Sequence, residues 1–195
     1  MPEYSVFAII LAAGESSRFG STKQLSKYDG TSLVARAVRL AERVCGDRSI
    51  LVVGSDWKRV LAACGSQRGF LVRNEHYASG MAGSIACGVR SVAHMADAVL
   101  IVLADQPLIT PEHLNSLLEE WKEATDDIII SEYLGVQGPP VIFPAHCFDR
   151  LMKLEGDQGA RALLKDSGYL VKGLKFDAAA VDIDLAEDLE NLQAR

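Results

Sequence analysis

The chain has few cysteines and histidines, and their spacing argues against a metal cluster or a disulfide scaffold. The 195 residues contain four of each, without a C-x-x-C pair. Scattered thiols of this kind are typical of free, buried cysteines in a reducing compartment, and zinc sites need clustered ligands. We therefore expect neither disulfides nor a zinc site.

Positive charge and long apolar runs are also scarce. The chain has 20 Lys and Arg against 26 Asp and Glu, a net charge of −6, whereas a general nucleic-acid binder is usually basic. The longest early apolar run, residues 6–13, is too short to span a membrane, and the first residues lack the basic region of a signal peptide. We expect a cytoplasmic protein that binds neither nucleic acid nor membranes.

The composition that is present is that of an ordinary folded protein. Hydrophobic residues make up 49% and charged residues 24% of the chain, which excludes a disordered or low-complexity protein. No repeat, linker or shift in composition divides the sequence. We therefore predict one domain over residues 1–195, a length that supports a sizeable core.

Short apolar runs alternate with helical patterns, which indicates an α/β fold. Predicted strands cover residues 6–11, 50–53, 70–72, 98–103, 128–131, 140–143 and 169–174, and predicted helices cover 32–44, 57–63, 84–92, 111–124, 147–154, 159–167 and 184–192. The first strand is apolar without alternation, as in a parallel sheet covered on both faces. The regular alternation breaks after the fifth strand begins, so we expect an antiparallel strand there. Thr110 is the predicted N-cap of the helix that begins at Pro111.

The loop after the first strand, residues 11–25, has the features of an anion-binding turn. Gly14 and Gly20 allow backbone N–H groups to point at one ligand, while Arg18 and Lys23 supply positive charge. The loop matches neither the Walker A pattern nor the G-x-G-x-x-G fingerprint. Two interpretations stay open from the residues alone, namely a phosphate-binding turn and an ordinary strand-to-helix turn with solvated cations.

Two acidic positions could meet that loop. Asp105 follows the most apolar strand, so its carboxylate is expected at the carboxyl edge of the sheet, where α/β proteins bind ligands. Asp182 and Asp184 precede the last helix and would point to the same side of an extended segment. Carboxylates of this kind can hold Mg²⁺ together with substrate phosphates. The alternatives are that Asp105 ends a turn, and that Asp184 is a helix N-cap with Glu187 completing a capping box.

Six sequence blocks together resemble the MobA-like nucleotidyltransferases, most closely their molybdenum cofactor cytidylyltransferase branch. In chain order, the blocks are Leu11-Ala-Ala-Gly-x-Ser-x-Arg-Phe-Gly-x-x-Lys23-Gln-Leu25; Asn74 with Gly80-Met81 and Ser84-Ile85; Ala104-Asp-Gln-Pro107; residues 138–143; residues 156–161; and Asp182-Ile-Asp184 with Glu187-Asp-Leu189. The resemblance implies a three-layer α/β/α Rossmann-like domain with a mostly parallel sheet, of the nucleotide-diphospho-sugar transferase type.

The resemblance also implies residue roles. The nucleotide would contact Leu11, Ala12, Ala13, Gly14, Arg18, Lys23, Asn74, Gly80, Ser84 and Asp105. Arg18, Lys23 and Asp105 would be catalytic, and Asp105 and Asp184 would hold Mg²⁺. The acceptor would contact Gln106, Gly138, Pro139, Gly156, Asp157 and Arg161.

The implied reaction is transfer of a nucleotidyl group from a nucleoside triphosphate to a phosphorylated acceptor, with molybdopterin favoured and pyrophosphate released. A transient contact with a protein that receives the cofactor would follow. The methyl group of Ala13, where purine-using relatives tend to have glycine, favours CTP. The sequence departs from the family at Leu185-Ala186, where Thr-Pro is usual, which makes the metal role of Asp184 less certain than that of Asp105. Two alternatives stay open: another phosphorylated acceptor, such as a sugar phosphate or methylerythritol phosphate, and a non-catalytic nucleotide-binding module.

Overall fold

The computed structural model describes residues 4–14, 19–65, 69–156, 160–164 and 168–194. The strands are β1 (Val6–Ala12), β2 (Lys27–Tyr28), β3 (Thr31–Ser32), β4 (Ser49–Val53), β5 (Phe70–Arg73), β6 (Ala98–Leu103), β7 (Ile128–Tyr133), β8 (Val136–Pro144) and β9 (Val171–Lys175). The α-helices are α1 (Leu33–Cys45), α2 (Trp57–Cys64), α3 (Met81–Val92), α4 (Pro111–Glu123), α5 (Phe148–Leu151), α6 (Arg161–Leu164) and α7 (Ala186–Gln193). Apart from the short pair β2–β3, the strands of these ranges join one sheet.

The sheet is mostly parallel, with the order β5-β4-β1-β6-β8-β7-β9. Only β8 runs antiparallel to its neighbours, β6 and β7, which confirms the predicted antiparallel strand. The chain moves outward from β1 to β4 and β5, then returns to place β6 on the other side of β1. This reversal makes the carboxyl ends of β1 and β6 the topological switch point, where open α/β sheets bind ligands.

Both faces of the sheet are covered, which explains the continuous apolar run of β1. Ala8 and Ile10 pack with α1, α2 and α4 on one face, whereas Phe7 and Ile9 pack with α3, α5 and α6 on the other. Alternate side chains of a strand point to opposite faces, so a strand covered on both sides must be apolar throughout. The three-layer α/β/α prediction is confirmed.

Several predicted boundaries change. The predicted helix 147–154 is reduced to α5 plus a preceding 3₁₀ turn at Ala145–Cys147. Strands β7 and β8 extend beyond the predicted segments because they form a hairpin through Leu134 and Gly135, which both have positive φ. Helix α6 falls within the predicted helix 159–167, although residues 159 and 165–167 lie outside the described part of the chain.

Two local expectations are confirmed, namely the N-cap of α4 and the free cysteines. Thr110 is the N-cap of α4, where its hydroxyl accepts a hydrogen bond from His113 N at 3.2 Å. All four cysteines are free. Within the described ranges, none of the helices combines the length and apolar character that a bilayer crossing requires.

A buried polar chain joins α4 to the hairpin. His113 Nε2 lies 2.8 Å from Ser131 Oγ, and that hydroxyl donates to the carbonyl oxygen of Pro140 at 2.8 Å. The imidazole ring also stacks on Phe176 at 3.9 Å between centroids. Because Ser131 donates to Pro140, it accepts from His113, which fixes the neutral imidazole with its proton on Nε2. Burial lowers the pKa of His113 to about 4.

We predict that this histidine makes the protein less stable in acid. An unfolded histidine titrates near pH 6.5, so at pH values between 6.5 and 4 the unfolded chain binds a proton that the folded chain excludes. The free energy of unfolding should therefore fall by roughly 2 kcal/mol between pH 7 and pH 4.5 because of His113. Urea unfolding of wild type and His113→Gln across this pH range measures the contribution of His113 to the free energy of unfolding. The prediction is contradicted if that free energy falls equally with pH in both proteins.

Candidate active site

The ammonium group of Lys23 lies between two carboxylates from distant parts of the chain. Lys23 Nζ is 2.7 Å from Asp105 Oδ2 and 3.1 Å from Asp184 Oδ1. The Lys23 side chain is only 12% exposed, whereas that of Asp184 is largely open to solvent. The structure thus brings together three residues that the sequence predicted for one site, at the switch point of the sheet.

The turn that carries Lys23 is fixed by side chains on either side of it. Lys23 begins a 3₁₀ turn, Lys23–Leu25, in which Gln24 is buried and donates to the carbonyl oxygen of Gly14 at 2.9 Å. Thr22 Oγ1 hydrogen-bonds the carboxylate of Asp56 at the start of α2. These contacts attach the turn to the segment after β1 and to the start of α2. The backbone of Lys23 is therefore fixed where its side chain enters the cleft.

Asp105 and Asp184 are held together through the backbone. The N–H group of Ile183 donates to the carbonyl oxygen of Asp105 at 3.0 Å, and the Ile183 side chain is fully buried. Asp188 Oδ2 accepts from the N–H groups of Asp184 and Leu185, at 2.9 and 2.7 Å. The carboxylate of Asp188 therefore supports the start of α7 where the usual Thr-Pro is missing.

The alternative role of Asp184 as the helix N-cap is wrong. Leu185 occupies the N-cap position of α7, and Asp188 supplies the accepting oxygen, where the alternative had named Glu187. Asp182 and Asp184 also do not lie in a strand. The carboxylate of Asp184 is consequently available to Lys23.

The cleft carries more negative than positive charge, because one ammonium group faces the carboxylates of Asp105 and Asp184. Burial alone would lower the pKa of Lys23, but the carboxylates of Asp105 and Asp184 outweigh it, so the pKa of the ammonium is raised. The pKa of Asp182 is raised to about 6, first by desolvation and then by the negative charges of Asp105 and Asp184, although its side chain still touches solvent. The cleft therefore holds a firmly protonated lysine beside carboxylates that repel one another.

The carboxylates fit a divalent cation that is completed by substrate. Asp105 Oδ1 is buried and has no hydrogen-bond partner among the described residues, and carboxylate oxygens are the ligands that Mg²⁺ prefers. The described ranges contain no group of three or more His, Cys, Asp or Glu side chains placed to hold a metal. A cation held by two carboxylates alone would have positions left for phosphate oxygens, as Mg²⁺ sites commonly do.

The predicted nucleoside-binding residues form a second group, at the end of β5. Asn74 and Ser84 are both buried, and Asn74 Nδ2 donates to Ser84 Oγ at 3.0 Å. Asn74 Oδ1 accepts from the N–H of His76 at 3.0 Å. Gly80, with φ of 101°, precedes the first turn of α3. The group lies at the same sheet edge as the Lys23 cleft, on the β4–β5 side of β1.

The predicted acceptor-binding residues divide into those that the structure describes and those that it does not. Gly138 is buried in β8, and Pro139 is half-buried beside it. The carbonyl oxygen of Gly156 accepts from Ala82 N at 3.3 Å, which joins this segment to α3. Asp157, the side chain of Arg161 and the predicted phosphate contact Arg18 lie outside the described residues.

Gln106 has a structural position that sequence reasoning missed. It is 5% exposed, and its Nε2 donates to the carbonyl oxygens of Pro139 at 3.1 Å and Ala179 at 2.9 Å. Ala179 belongs to a 3₁₀ turn, Asp177–Ala180, shortly before Asp182. The residue directly after Asp105 thus connects the end of β6 with β8 and with the segment that carries the other carboxylates. No sequence signal pointed to these contacts, or to that of Asp56 with Thr22, because they join residues far apart in the chain.

Open α/β sheets bind ligands at their switch point, where this chain places one ammonium group and two carboxylates. The model of the MobA-like NTP transferase domain family matches residues 8–172. The chain therefore belongs to this family. The match covers the lysine turn, Asn74 and Asp105, and stops before Asp184. The family predicted from the sequence is therefore confirmed.

Two relatives that cover nearly the whole chain carry names that refer to different activities. The purine catabolism protein PucB of Bacillus subtilis is 32% identical over 198 residues, which span 95% of this chain and 94% of PucB. A protein of Paenarthrobacter nicotinovorans named nicotine blue oxidoreductase is 26% identical, spanning 96% of each chain. Family membership alone therefore does not fix the reaction.

Solved structures give the same fold. Rv0371c from Mycobacterium tuberculosis superposes with a TM-score of 0.83 at 26% identity, covering 98% of this chain and 99% of that one. A structure of Rv0371c in complex with manganese has a TM-score of 0.78 at 24% identity, covering 97% and 98% of the chains. A divalent metal ion has therefore been observed with a protein of this fold.

We predict that Gln106→Met lowers both the stability of the protein and the affinity of the carboxylate cleft for Mn²⁺. It removes donors to two buried carbonyls, which should lower the free energy of unfolding by on the order of 2–4 kcal/mol. Because the Ala179 segment leads to Asp184, Mn²⁺ binding to the folded protein should also weaken, as measured by electron paramagnetic resonance.

Ser49→Ala is the matched control for this substitution. Ser49 is buried and donates to the carbonyl oxygen of Gly46 at 2.8 Å, at the start of β4 and away from the cleft. Its loss should cost stability without changing Mn²⁺ affinity. Unchanged Mn²⁺ affinity in folded Gln106→Met would show that Gln106 does not position the carboxylates.

Proposed function

We propose that the protein transfers a cytidylyl group from CTP to the phosphate of molybdopterin and releases pyrophosphate. The observation that carries the proposal is the convergence of Lys23, Asp105 and Asp184 at the carboxyl ends of β1 and β6. The coarser part, a nucleotidyltransferase of the MobA-like type, rests on the family match. The choice of CTP and of molybdopterin rests on Ala13 and on the six sequence blocks.

The chemistry assigned to the protein is positioning and charge neutralisation. An acceptor phosphate oxygen attacks the α-phosphorus of the triphosphate in line, a new P–O bond forms, and the bond to pyrophosphate breaks. The attacking oxygen is already ionised near neutral pH, so no protein base has to remove a proton. Lys23 would bind the phosphates with a full positive charge, and the segment from Ala12 to Lys23 would hold the triphosphate in place.

The carboxylates would hold the metal ion. Asp105 and Asp184 are the proposed ligands, and Mg²⁺ is the proposed ion. When bound, it supplies charge neutralisation between the two anionic reactants. Lys23 now lies between the same two carboxylates, so we expect its ammonium to move from them to the phosphates when metal and triphosphate bind together. The buried Oδ1 of Asp105 supports this role because it lacks a partner among the described residues.

We assign the nucleoside and the acceptor to two different parts of the site. Asn74, Gly80 and Ser84 would bind the base and ribose. Gly138, Pro139, Gly156, Asp157 and Arg161 remain proposals for the acceptor side. We propose that Gln106 positions Pro139 instead of touching the acceptor, because its amide nitrogen is buried and donates to two carbonyls.

The competing functions give different products. A non-catalytic nucleotide-binding module would bind the triphosphate without releasing pyrophosphate. The relative named as an oxidoreductase makes a redox reaction the specific alternative, and it would consume an electron acceptor without needing a triphosphate. Another phosphorylated acceptor would give pyrophosphate only when that acceptor is present.

We predict that Lys23→Ala and Asp105→Ala each slow pyrophosphate release on the order of 100-fold, as does removal of a single electrostatic stabiliser in other enzymes. The assay combines CTP, GTP or UTP with molybdopterin or sugar phosphates in the presence of Mg²⁺. Chelation of the metal should abolish the release.

Matched controls remove similar charges outside the cleft. Lys27→Ala and Asp149→Ala change exposed residues and should leave the rate within about twofold, since surface substitutions away from a site have small effects. A loss below about threefold in folded Lys23→Ala or Asp105→Ala would remove that residue from the mechanism. Electron transfer by wild type without any nucleotide would favour the redox alternative.

We predict that wild type prefers CTP and that Ala13→Gly shifts the preference towards GTP by about tenfold in kcat/KM, because one methyl group of pocket space is worth about that much. Ala98→Gly is the control, since Ala98 is a buried alanine that begins β6, at the end of the strand away from Asp105. A wild-type preference for GTP, or equal shifts in both variants, would contradict the assignment.

A further inference from the structure

A basic pocket lies beside the proposed active site, between α1 and the segment that follows β6. It has a volume of about 170 Å³. Its walls include Arg36, Arg39 and Arg43 from α1 and Gln106 and Pro107 from the segment after Asp105. None of these arginines has a role in the proposed reaction, and Gln106, which directly follows Asp105, is one of the residues of the pocket wall.

The arginines form one stripe on α1. Positions 36, 39 and 43 have the i, i+3, i+7 spacing that places side chains on one helix face. Arg39 and Arg43 are exposed, and neither forms a salt bridge with a carboxylate of the described ranges. In a chain with a net charge of −6, this is a local concentration of positive charge.

The exposed carboxylate of Glu112 on α4 lies close enough to Arg43 to feel its charge. The pKa of Glu112 is lowered, first by hydrogen bonds from its own backbone N–H and from Thr110, and more weakly by the charge of Arg43. Glu112 therefore remains ionised and offsets part of the positive charge of Arg43.

Two buried polar atoms at this pocket lack partners among the described residues. Arg36 Nη2 donates to the carbonyl oxygen of Pro107 at 3.2 Å, and the guanidinium lies over the ring of Tyr28, but Nε has no acceptor. Gln106 is 95% buried by area and uses Nε2 for two carbonyls, but Oε1 has no donor. Because both atoms are buried, a ligand in the pocket would instead meet the exposed side chains of Arg39 and Arg43.

We propose that this pocket binds a small oxyanion, with inorganic phosphate as the simplest example. Its charged oxygens would accept from the exposed side chains of Arg39 and Arg43, and Arg36 would add positive charge at the wall of the pocket. Arginine is suited to this role because its planar donors match phosphate oxygens. The site would be separate from the triphosphate turn, and the proposal holds whether or not the proposed reaction is correct.

Isothermal titration calorimetry with inorganic phosphate at low ionic strength tests the proposal. Wild type should bind phosphate, and Arg39→Gln combined with Arg43→Gln should weaken binding by about tenfold or more, because two charge-assisted contacts are lost. Sulfate, a second tetrahedral oxyanion, should bind wild type at the same site and be weakened by the same double substitution. Pyrophosphate release without added phosphate should be unchanged in the double variant.

Two further variants locate the binding. Arg48→Gln combined with Lys153→Gln removes two exposed positive charges elsewhere and should leave phosphate affinity unchanged. Lys23→Ala should also leave it unchanged, because Lys23 belongs to the other cleft. The proposal fails if wild type does not bind phosphate, if the Arg39 and Arg43 double variant binds as wild type does, or if Lys23→Ala or the charge control accounts for the loss.

Discussion

The contact of one ammonium group with two carboxylates sets the arrangement of the whole ligand-binding edge. Lys23 comes from the turn after β1, Asp105 from the end of β6 and Asp184 from the segment before α7. A lysine this deeply placed needs nearby negative charge, since an unpaired charge at low solvent exposure is strongly disfavoured. The carboxylates in turn repel each other, so each depends on a cation in the cleft. The nearby hydrogen bonds of Gln24, Thr22 and Gln106 hold the backbones that meet there.

The fold was largely predictable because both covered faces of the sheet leave a signal in the sequence. The continuous apolar runs of β1 and β6 and the capped start of α4 could be located from residue order alone. The extent of the β7–β8 hairpin could not, because it depends on pairing between strands and on the positive φ of Leu134 and Gly135. The short form of α5 likewise reflects tertiary packing. The prediction that residues 1–195 act as one domain stays a prediction.

The candidate site was predictable in its charged residues and unpredictable in what supports them. Strand ends that meet at one sheet edge follow from the α/β pattern, so Lys23 and Asp105 could be paired in advance. The support from Gln106 to Ala179 and from Asp188 to the N–H of Asp184 depends on contacts that only folding creates. The Asp188 contact explains how the chain keeps Asp184 in place without Thr-Pro after it. The acceptor is harder to infer, since its proposed residues lie on segments joined by long-range contacts, and relatives of similar length have different names.

The central claim is that the two carboxylates share a metal ion with a triphosphate held by Lys23. The most direct test is a crystal structure with CTP and Mn²⁺, in which anomalous scattering locates the metal independently of the protein. We expect manganese bound to carboxylate oxygens of Asp105 and Asp184, with the ammonium of Lys23 on a phosphate oxygen. A metal ion bound away from both carboxylates, or a triphosphate bound away from the turn that carries Lys23, would contradict the account.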